Sequence, residues 1–287
     1  MNSFSSCCDP WMLETRELNL QTDVLRVLEE TSRTFYIPII RLPSRLQKAA
    51  AAAYLTMRAL DEIEDHTTLD SDCKEKLLHK VNRVLHTRTM NGSDHLDFAF
   101  LRPYQSELPE VTLRIGEWVS YPSDDIAPRI WDAAATMADR MAYWVRHNWR
   151  IRTETDLDRY TFDVAGAIGL LSCDVWLWFA GVRIDPAFAV QFGSGLQAVN
   201  ILRNREEDIQ REIDFYPIGW GREHMLNYTH NKLNEAKEKA KFVPRDAFSY
   251  FFKIPLILAE ATLDALENGN VKLTRTQVRQ IINRLDP

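Results

Sequence analysis

The chain has 287 residues, ten of them glycine, with a net charge of −6 and a pI near 5.7. This acidic balance, with no basic footprint, excludes a nucleic-acid partner. Few glycines, several segments of helical period and no sustained alternation of β-branched residues predict an all-α fold. With no biased linker, residues 1–287 read as one domain. Cys7, Cys8, Cys73 and Cys173 lack metal-ligand spacing and no secretory signal precedes them, so reduced thiols in a cytoplasmic protein are expected.

Residues 1–20 read as a loosely held arm. A first helix is expected from Thr22 or Asp23 towards Ile40, with TSRTF (31–35) inside it. Leu42-Pro43-Ser44 breaks it, and Ser44 can cap the next helix, which runs to about His66. That helix contains YLTMRALDEIED (54–65). Tyr54, Arg58, Asp61 and Asp65 fall within about 60° of one another around its axis, whereas Glu64 lies off the stripe. A lone DxxxD is more often a solvated charge face. Here residues 49–53 are five alanines and Leu55, Leu60 and Ile63 are apolar, so the helix reads as buried on most sides. Buried carboxylates need cations or hydrogen bonds, and hard oxygen ligands suit Mg²⁺ carrying a phosphate-bearing substrate.

A helix at about 71–88, a loop at Asn91-Gly92-Ser93, an irregular stretch at 93–108 and a short helix near 109–119 follow. From Ile126 to Trp149 an amphipathic helix places Ile130, Ala134, Met137, Met141 and Trp144 on one face. The next helix, 157–181, includes the apolar run Val164 to Val182, long enough to span a bilayer. Asp174 in its middle would be costly there, so no transmembrane segment is expected and the run reads as a core helix, apolar nearly all round. Ile184-Asp185-Pro186 starts the helix carrying LQAVNILRNREEDIQRE (196–212). On it Gln197, Asn200, Asn204, Asp208 and Arg211 share a stripe with Glu207 at its edge. Helices near 229–241, 246–268 and 272–285 complete the chain. The two acidic stripes predict facing walls of one metal–phosphate cavity.

TSRTF, YLTMRALDEIED, VAGAIG (164–169) and QAVNILRNREED (197–208) resemble the squalene synthase and phytoene synthase family in order and spacing, over about residues 25–217. The resemblance implies an isoprenoid-synthase helical bundle around a deep cavity, with two acidic motifs binding Mg²⁺ and prenyl diphosphates at its mouth. Asp61, Glu64 and Asp65 match the first motif, and Glu207 and Asp208 the second, as metal ligands. Ser32, Arg33 and Phe35 match a diphosphate-clasping segment. Tyr54 and Arg58 match residues just before the first motif, and Gln197, Asn200 and Arg203 belong to the second.

Three positions depart from the family pattern. Asn204 stands where the second motif begins with aspartate, so that wall has lost a negative charge. Asp163 stands where a tyrosine precedes VAG, and Ile213 where squalene synthases resemble one another in carrying arginine; Arg211 is the available substitute. Asp163 has two readings: a helix cap or arginine partner, or a cavity carboxylate that takes a proton from an acceptor. Ala167, Leu170 and Asp174 follow it at helical spacing. On the second reading the expected enzyme ionises an allylic diphosphate, dimethylallyl to farnesyl, and transfers the prenyl group to a small aromatic acceptor such as an indole, carbazole or phenol. Asp163, Tyr54 and Asn204 would then be its catalytic residues, with Trp176 and Trp178 stacking on the ring or narrowing the tunnel. The rivals are a head-to-head synthase using two prenyl diphosphates, a cyclase using one, and a non-catalytic binder. Gly193-Ser194-Gly195 lacks the third glycine and the strand of a dinucleotide fingerprint.

Overall fold

The computed structural model describes residues 10–32, 34–91, 96–241, 249–270 and 273–284. Among these there is no strand. The helices are α1 (Pro10–Thr31), α2 (Tyr36–Ile40), α3 (Ser44–Glu64), α4 (Ser71–Asn91), α5 (Glu110–Leu113), α6 (Ile115–Ser120), α7 (Ala127–Arg146), α8 (Glu154–Thr161), α9 (Ala167–Ala180), α10 (Pro186–Gln210), α11 (Arg222–Ala240), α12 (Ser249–Glu267) and α13 (Arg275–Asn283). A 3₁₀ turn (Ala99–Tyr104) follows α4, and a π turn (Phe162–Gly166) joins α8 to α9.

Several boundaries differ from expectation. The supposed arm is helical from Pro10, a residue suited to a first helical turn, and only residues 1–9 of it lie outside the described set. The helix expected to continue to Ile40 divides at Ser32, whose Oγ accepts a hydrogen bond from the Phe35 N–H at 2.9 Å. Such a local side-chain bond competes with helix continuation. Ser44 does not cap α3; Pro43 precedes its first turn and no side-chain cap bond forms. The helix expected near 229 begins at Arg222.

Helix α3 runs through the middle of the bundle, packed on α1, α5, α6, α7 and α9. Its five alanines are all buried, as are Leu55, Leu60 and Ile63. Ile130, Ala134, Met137, Met141 and Trp144 form the buried face of α7, as their spacing predicts. Asp185 caps α10 by accepting from the Ala187 N–H at 2.9 Å.

The floor of the bundle is set by a close crossing of α9 and α10. A Cβ on Gly169 would lie 2.0 Å from the Ala189 carbonyl oxygen, and one on Gly193 2.4 Å from that of Ala165. Two glycines, one from each helix, thus allow backbone to meet backbone. This accounts for VAGAIG and for Gly193, which sits in a helix with no dinucleotide loop. By length and composition the continuous run Glu154–Ala180 is apolar enough to cross a membrane. In the fold it packs on α7 and α10. It is not buried all round, because Leu170 and Leu177 are 37% and 44% exposed.

Candidate active site

A cavity of about 710 Å³ lies among α3, α9, α10 and α12. On α3 its lining runs from Ala50 and Ala53 through Tyr54, Met57 and Arg58 to Asp61, and on α10 from Phe192 to Glu207. Residues 50 and 61 are about 16 Å apart along a helix axis. The hollow is therefore graded, with carboxylates and arginines where α3 and α10 end and apolar walls where they begin. Val175, Trp176, Phe251, Leu258 and Val278 close the apolar end. The alanines leave width, and Trp176 and Phe251, 4.7 Å apart between ring centroids, form a rigid floor.

The two acidic stripes meet at the polar end. One guanidinium joins them: Arg211 Nη1 donates to Asp65 Oδ1 at 2.9 Å and to the Asp65 carbonyl at 3.1 Å, and Nη2 donates to Asp208 Oδ1 at 2.5 Å. Burial pushes the Asp208 carboxyl up despite this partner. Asp61 lines the cavity, with 38% of its side chain exposed. Even so, protein encloses it, and burial, reinforced by neighbouring Asp65 and Glu62, pushes its pKa up to about 7 against the relief from Arg58. A carboxylate destabilised in this way is under-compensated in the protein alone.

Glu64 is a correction. It is 3% exposed, lines no part of the cavity and accepts from Trp149 Nε1 at 2.7 Å. Lys74 Nζ donates to its carbonyl at 2.9 Å. Burial raises the Glu64 carboxyl well above its ordinary range. Glu64, read from sequence as a metal ligand, thus braces the end of α3 and is turned away from the cavity. Trp149 and Lys74 were missed because no spacing rule connects residue 64 with residues 74 and 149.

Asp61, Asp65, Glu207 and Asp208 remain as carboxylates around the polar end. Among the described residues no three metal-type ligands already converge on one point. That donor set fits Mg²⁺, which keeps water and substrate phosphate oxygens in its coordination sphere rather than needing an all-protein cage.

Anion-binding groups line both walls. On α3, Arg58 pairs with Glu62 and approaches Asp61 Oδ2 at 4.0 Å, yet its Nε is buried without a hydrogen-bond partner. On α10, Arg203 Nε donates to Asn204 Oδ1 at 3.0 Å, and burial lowers its pKa against the pull of Glu207. Asn200 and Gln197 line the same wall, with Asn200 Nδ2 donating to Gln197 Oε1 at 3.3 Å. Ser32, Phe35 and Tyr54 sit together at the α1–α2 break: Tyr54 OH donates to the Thr31 carbonyl at 3.4 Å, and its ring lies 5.6 Å from that of Phe35. Arg33 lies outside the described residues.

Asp163 is the second correction. It does not line the cavity, although Val164, Ala165, Ile168 and Gly169 do. Its carboxylate accepts from Trp144 Nε1 at 3.0 Å and pairs with Arg140 at 3.3 Å and Arg159 at 3.6 Å. Burial raises its pKa, offset by these three partners. Ala167, Leu170 and Asp174, which share its face at helical spacing, do not line the cavity either, and Leu170 and Asp174 reach solvent, so this whole face looks away from the hollow. Of the two readings, the arginine partner is the one observed. Trp176 lines the cavity, whereas Trp178 points elsewhere, its Nε1 on Asp125 at 2.9 Å and its ring under Arg45.

An all-α bundle with acidic helix ends facing each other over a graded cavity defines the isoprenoid-synthase class of fold. The squalene/phytoene synthase family profile matches residues 28–217, and the chain belongs to that family. Squalene synthase of Solanum lycopersicum is 27% identical over 310 residues, spanning 90% of this chain and 69% of that protein. The Homo sapiens enzyme is 27% identical over 289 residues, 88% of this chain and 66% of its own. A solved TcSQS structure with a bound ligand superposes with a TM-score of 0.73 at 22% identity, covering 93% of this chain and 86% of that one. A dehydrosqualene synthase in complex with a ligand gives 0.62 at 16%, covering 94% and 96%. The family's enzymes transfer prenyl groups from prenyl diphosphates.

Proposed function

We propose that this protein joins two prenyl diphosphates head to head, as the squalene and dehydrosqualene synthases it resembles are named for doing. The observation carrying this reading is the pair of cationic groups on facing walls of one cavity, Arg58 on α3 and Arg203 on α10. Each wall thus offers a half-buried guanidinium of its own to a diphosphate. Transfer to an aromatic acceptor, the reading favoured by sequence, loses its base because Asp163 is committed to two arginines outside the cavity.

Mg²⁺ held by Asp61, Asp65, Glu207 and Asp208 would neutralise the charge that develops on the departing diphosphate. Arg58, on the cavity wall with part of its guanidinium exposed, receives a diphosphate oxygen and is already positioned before ionisation. Arginine suits this task through its fork of donors. Arg203 and Asn200 orient the second diphosphate on the opposite wall. Trp176, Phe251 and Phe192 hold the prenyl tails and exclude water that would quench an allylic cation. Tyr54 OH, whose pKa burial raises, stays protonated at the cavity wall.

The test is product analysis with Mg²⁺ and geranyl or farnesyl diphosphate, with and without indoles, carbazoles and phenols. A hydrocarbon of doubled chain length from one diphosphate alone is expected. Diphosphate release that depends on an aromatic acceptor would overturn the reading, as would a cyclised product from a single chain.

A further inference from the structure

Two helices end at the same place. Helix α3 closes at Glu64 with Asp65 as its C-cap, and α10 at Gln210 with Arg211 as its C-cap. Helix C-termini carry partial negative charge and unsatisfied carbonyls. To this are added the carboxylates of Asp65 and Asp208, with Asp61 and Glu207 on the adjoining cavity wall. The Asp65 and Asp208 carboxylates, brought side by side at this end, need a cation. In the metal-free protein that cation is the Arg211 guanidinium, which binds an Asp65 carboxylate oxygen, the Asp65 carbonyl and an Asp208 carboxylate oxygen at once. Its side chain is 23% exposed and that of Asp208 9%, so the contact is partly withdrawn from solvent screening.

We propose that Arg211 is a resident cation that competes with the metal: it holds Asp65 and Asp208 together until metal and diphosphate arrive, then yields the carboxylates and moves to a diphosphate oxygen. The chemistry of the groups supports an exchange over a permanent brace. Asp65 and Asp208 are the carboxylates that must turn to a metal, and a guanidinium bridging them uses the same oxygens. Arg211 offers one positive charge to the two carboxylates it bridges, so a divalent ion still gains by entering. The freed guanidinium has an anion to go to, since each diphosphate brings more negative charge than the metal removes. Glu212, next in the chain, has a left-handed backbone (φ 62°), which ends the helix directly after Arg211 and frees the residue from a following turn. Arg211 is thus a positioning residue for metal entry. The inference rests on the proposed reading only in taking metal and diphosphate as ligands of this site, whatever the acceptor.

The experiment measures binding without turnover, on the full chain. Mn²⁺ is titrated by electron paramagnetic resonance into the wild type, Arg211→Gln and Arg205→Gln. Arg205 pairs with Asp214 at 2.9 Å and serves as the control for a lost surface charge. Arg211→Gln is expected to tighten Mn²⁺ on the order of tenfold, because a competing pair of charge-assisted hydrogen bonds is removed. Arg205→Gln is expected to change it little. At saturating Mn²⁺, calorimetry should show inorganic pyrophosphate binding more weakly to Arg211→Gln, with partial recovery in Arg211→Lys. Mn²⁺ affinity that falls, or rises no more than in Arg205→Gln, would overturn the competition. Unchanged pyrophosphate affinity would overturn the hand-over. If Arg211→Gln fails to fold by far-UV circular dichroism, Arg211→Lys, which cannot bridge both carboxylates with a fork, gives the same sign of Mn²⁺ change at smaller size. Neither measurement needs a prenyl substrate, so failure here and failure of the head-to-head reading remain separate results.

Discussion

Asp61 and Asp163 are both aspartates withdrawn from bulk water, and the structure assigns them opposite duties. Asp61 faces a cavity that needs a cation and is left costly to ionise. Its folded pKa of about 7 lies above the ordinary 3.8, so the folded state binds the extra proton between those values. Stability of the metal-free protein therefore falls as pH rises through that window, and the penalty is full above about 7. Asp61→Asn is predicted to raise the melting temperature of the metal-free protein at pH 8 and to abolish turnover. The thermal gain should shrink as pH falls below 7 and vanish near 4; a constant gain across that range would deny Asp61 its perturbed carboxyl. Asp163, in contrast, is already paired. Asp163→Ala leaves Arg140 and Arg159 facing each other and Trp144 Nε1 without its acceptor. Because both arginines reach solvent, the cost is about 2 kcal/mol, below that of a fully buried pair. Urea denaturation would measure it, and the product formed by the surviving folded enzyme is expected to be unchanged.

At the scale of elements, the crossing of α9 and α10 matters more than any single polar contact. Each helix contributes a glycine where a methyl group would meet a carbonyl oxygen, and backbone cannot yield as a side chain can. Gly169→Ala is expected to cost about 3 kcal/mol or more, the upper end for overpacking. It should also weaken substrate binding, because α9 and α10 both line the cavity. A lowered urea midpoint with an unaltered KM would show that the crossing is local to stability. The helical periods of α3, α7 and α10 were legible because each has one continuous 3.6-residue register along a face that is either buried or cavity-lining. Which face of α8–α9 meets the cavity was not, because periodicity groups Asp163 with Ala167, Leu170 and Asp174 without saying whether that face turns to the hollow or, as here, to arginines and solvent. The break at Ser32 was missed for a related reason, since a single side-chain bond to the Phe35 N–H decides it.

Across the whole molecule, α3 and α10 stand on either side of the cavity, and their mutual support is indirect: α3 packs on α9, and α9 on α10. At the polar end Arg211 is the tie. That the two acidic stripes would face each other was legible because each sets carboxylates at helical spacing on a largely apolar helix, where they need a cation to share. Which carboxylates would share it was not, since Glu64 was diverted by Trp149, a residue 85 positions away. A ligand that spans both walls should then stabilise the whole bundle, whereas an ion that merely replaces Arg211 exchanges one tie for another. Scanning calorimetry is expected to show a small shift of melting temperature with Mg²⁺ alone. Mg²⁺ with pyrophosphate at one hundred times its dissociation constant contributes about 2.7 kcal/mol, which for a protein of this size is a rise of about 5 °C or more. The same addition to Asp61→Asn should give little further rise, because that variant offers the metal one carboxylate fewer. If Mg²⁺ alone produced the full shift, the metal site would be complete without substrate, and the two walls would not depend on diphosphate to join them.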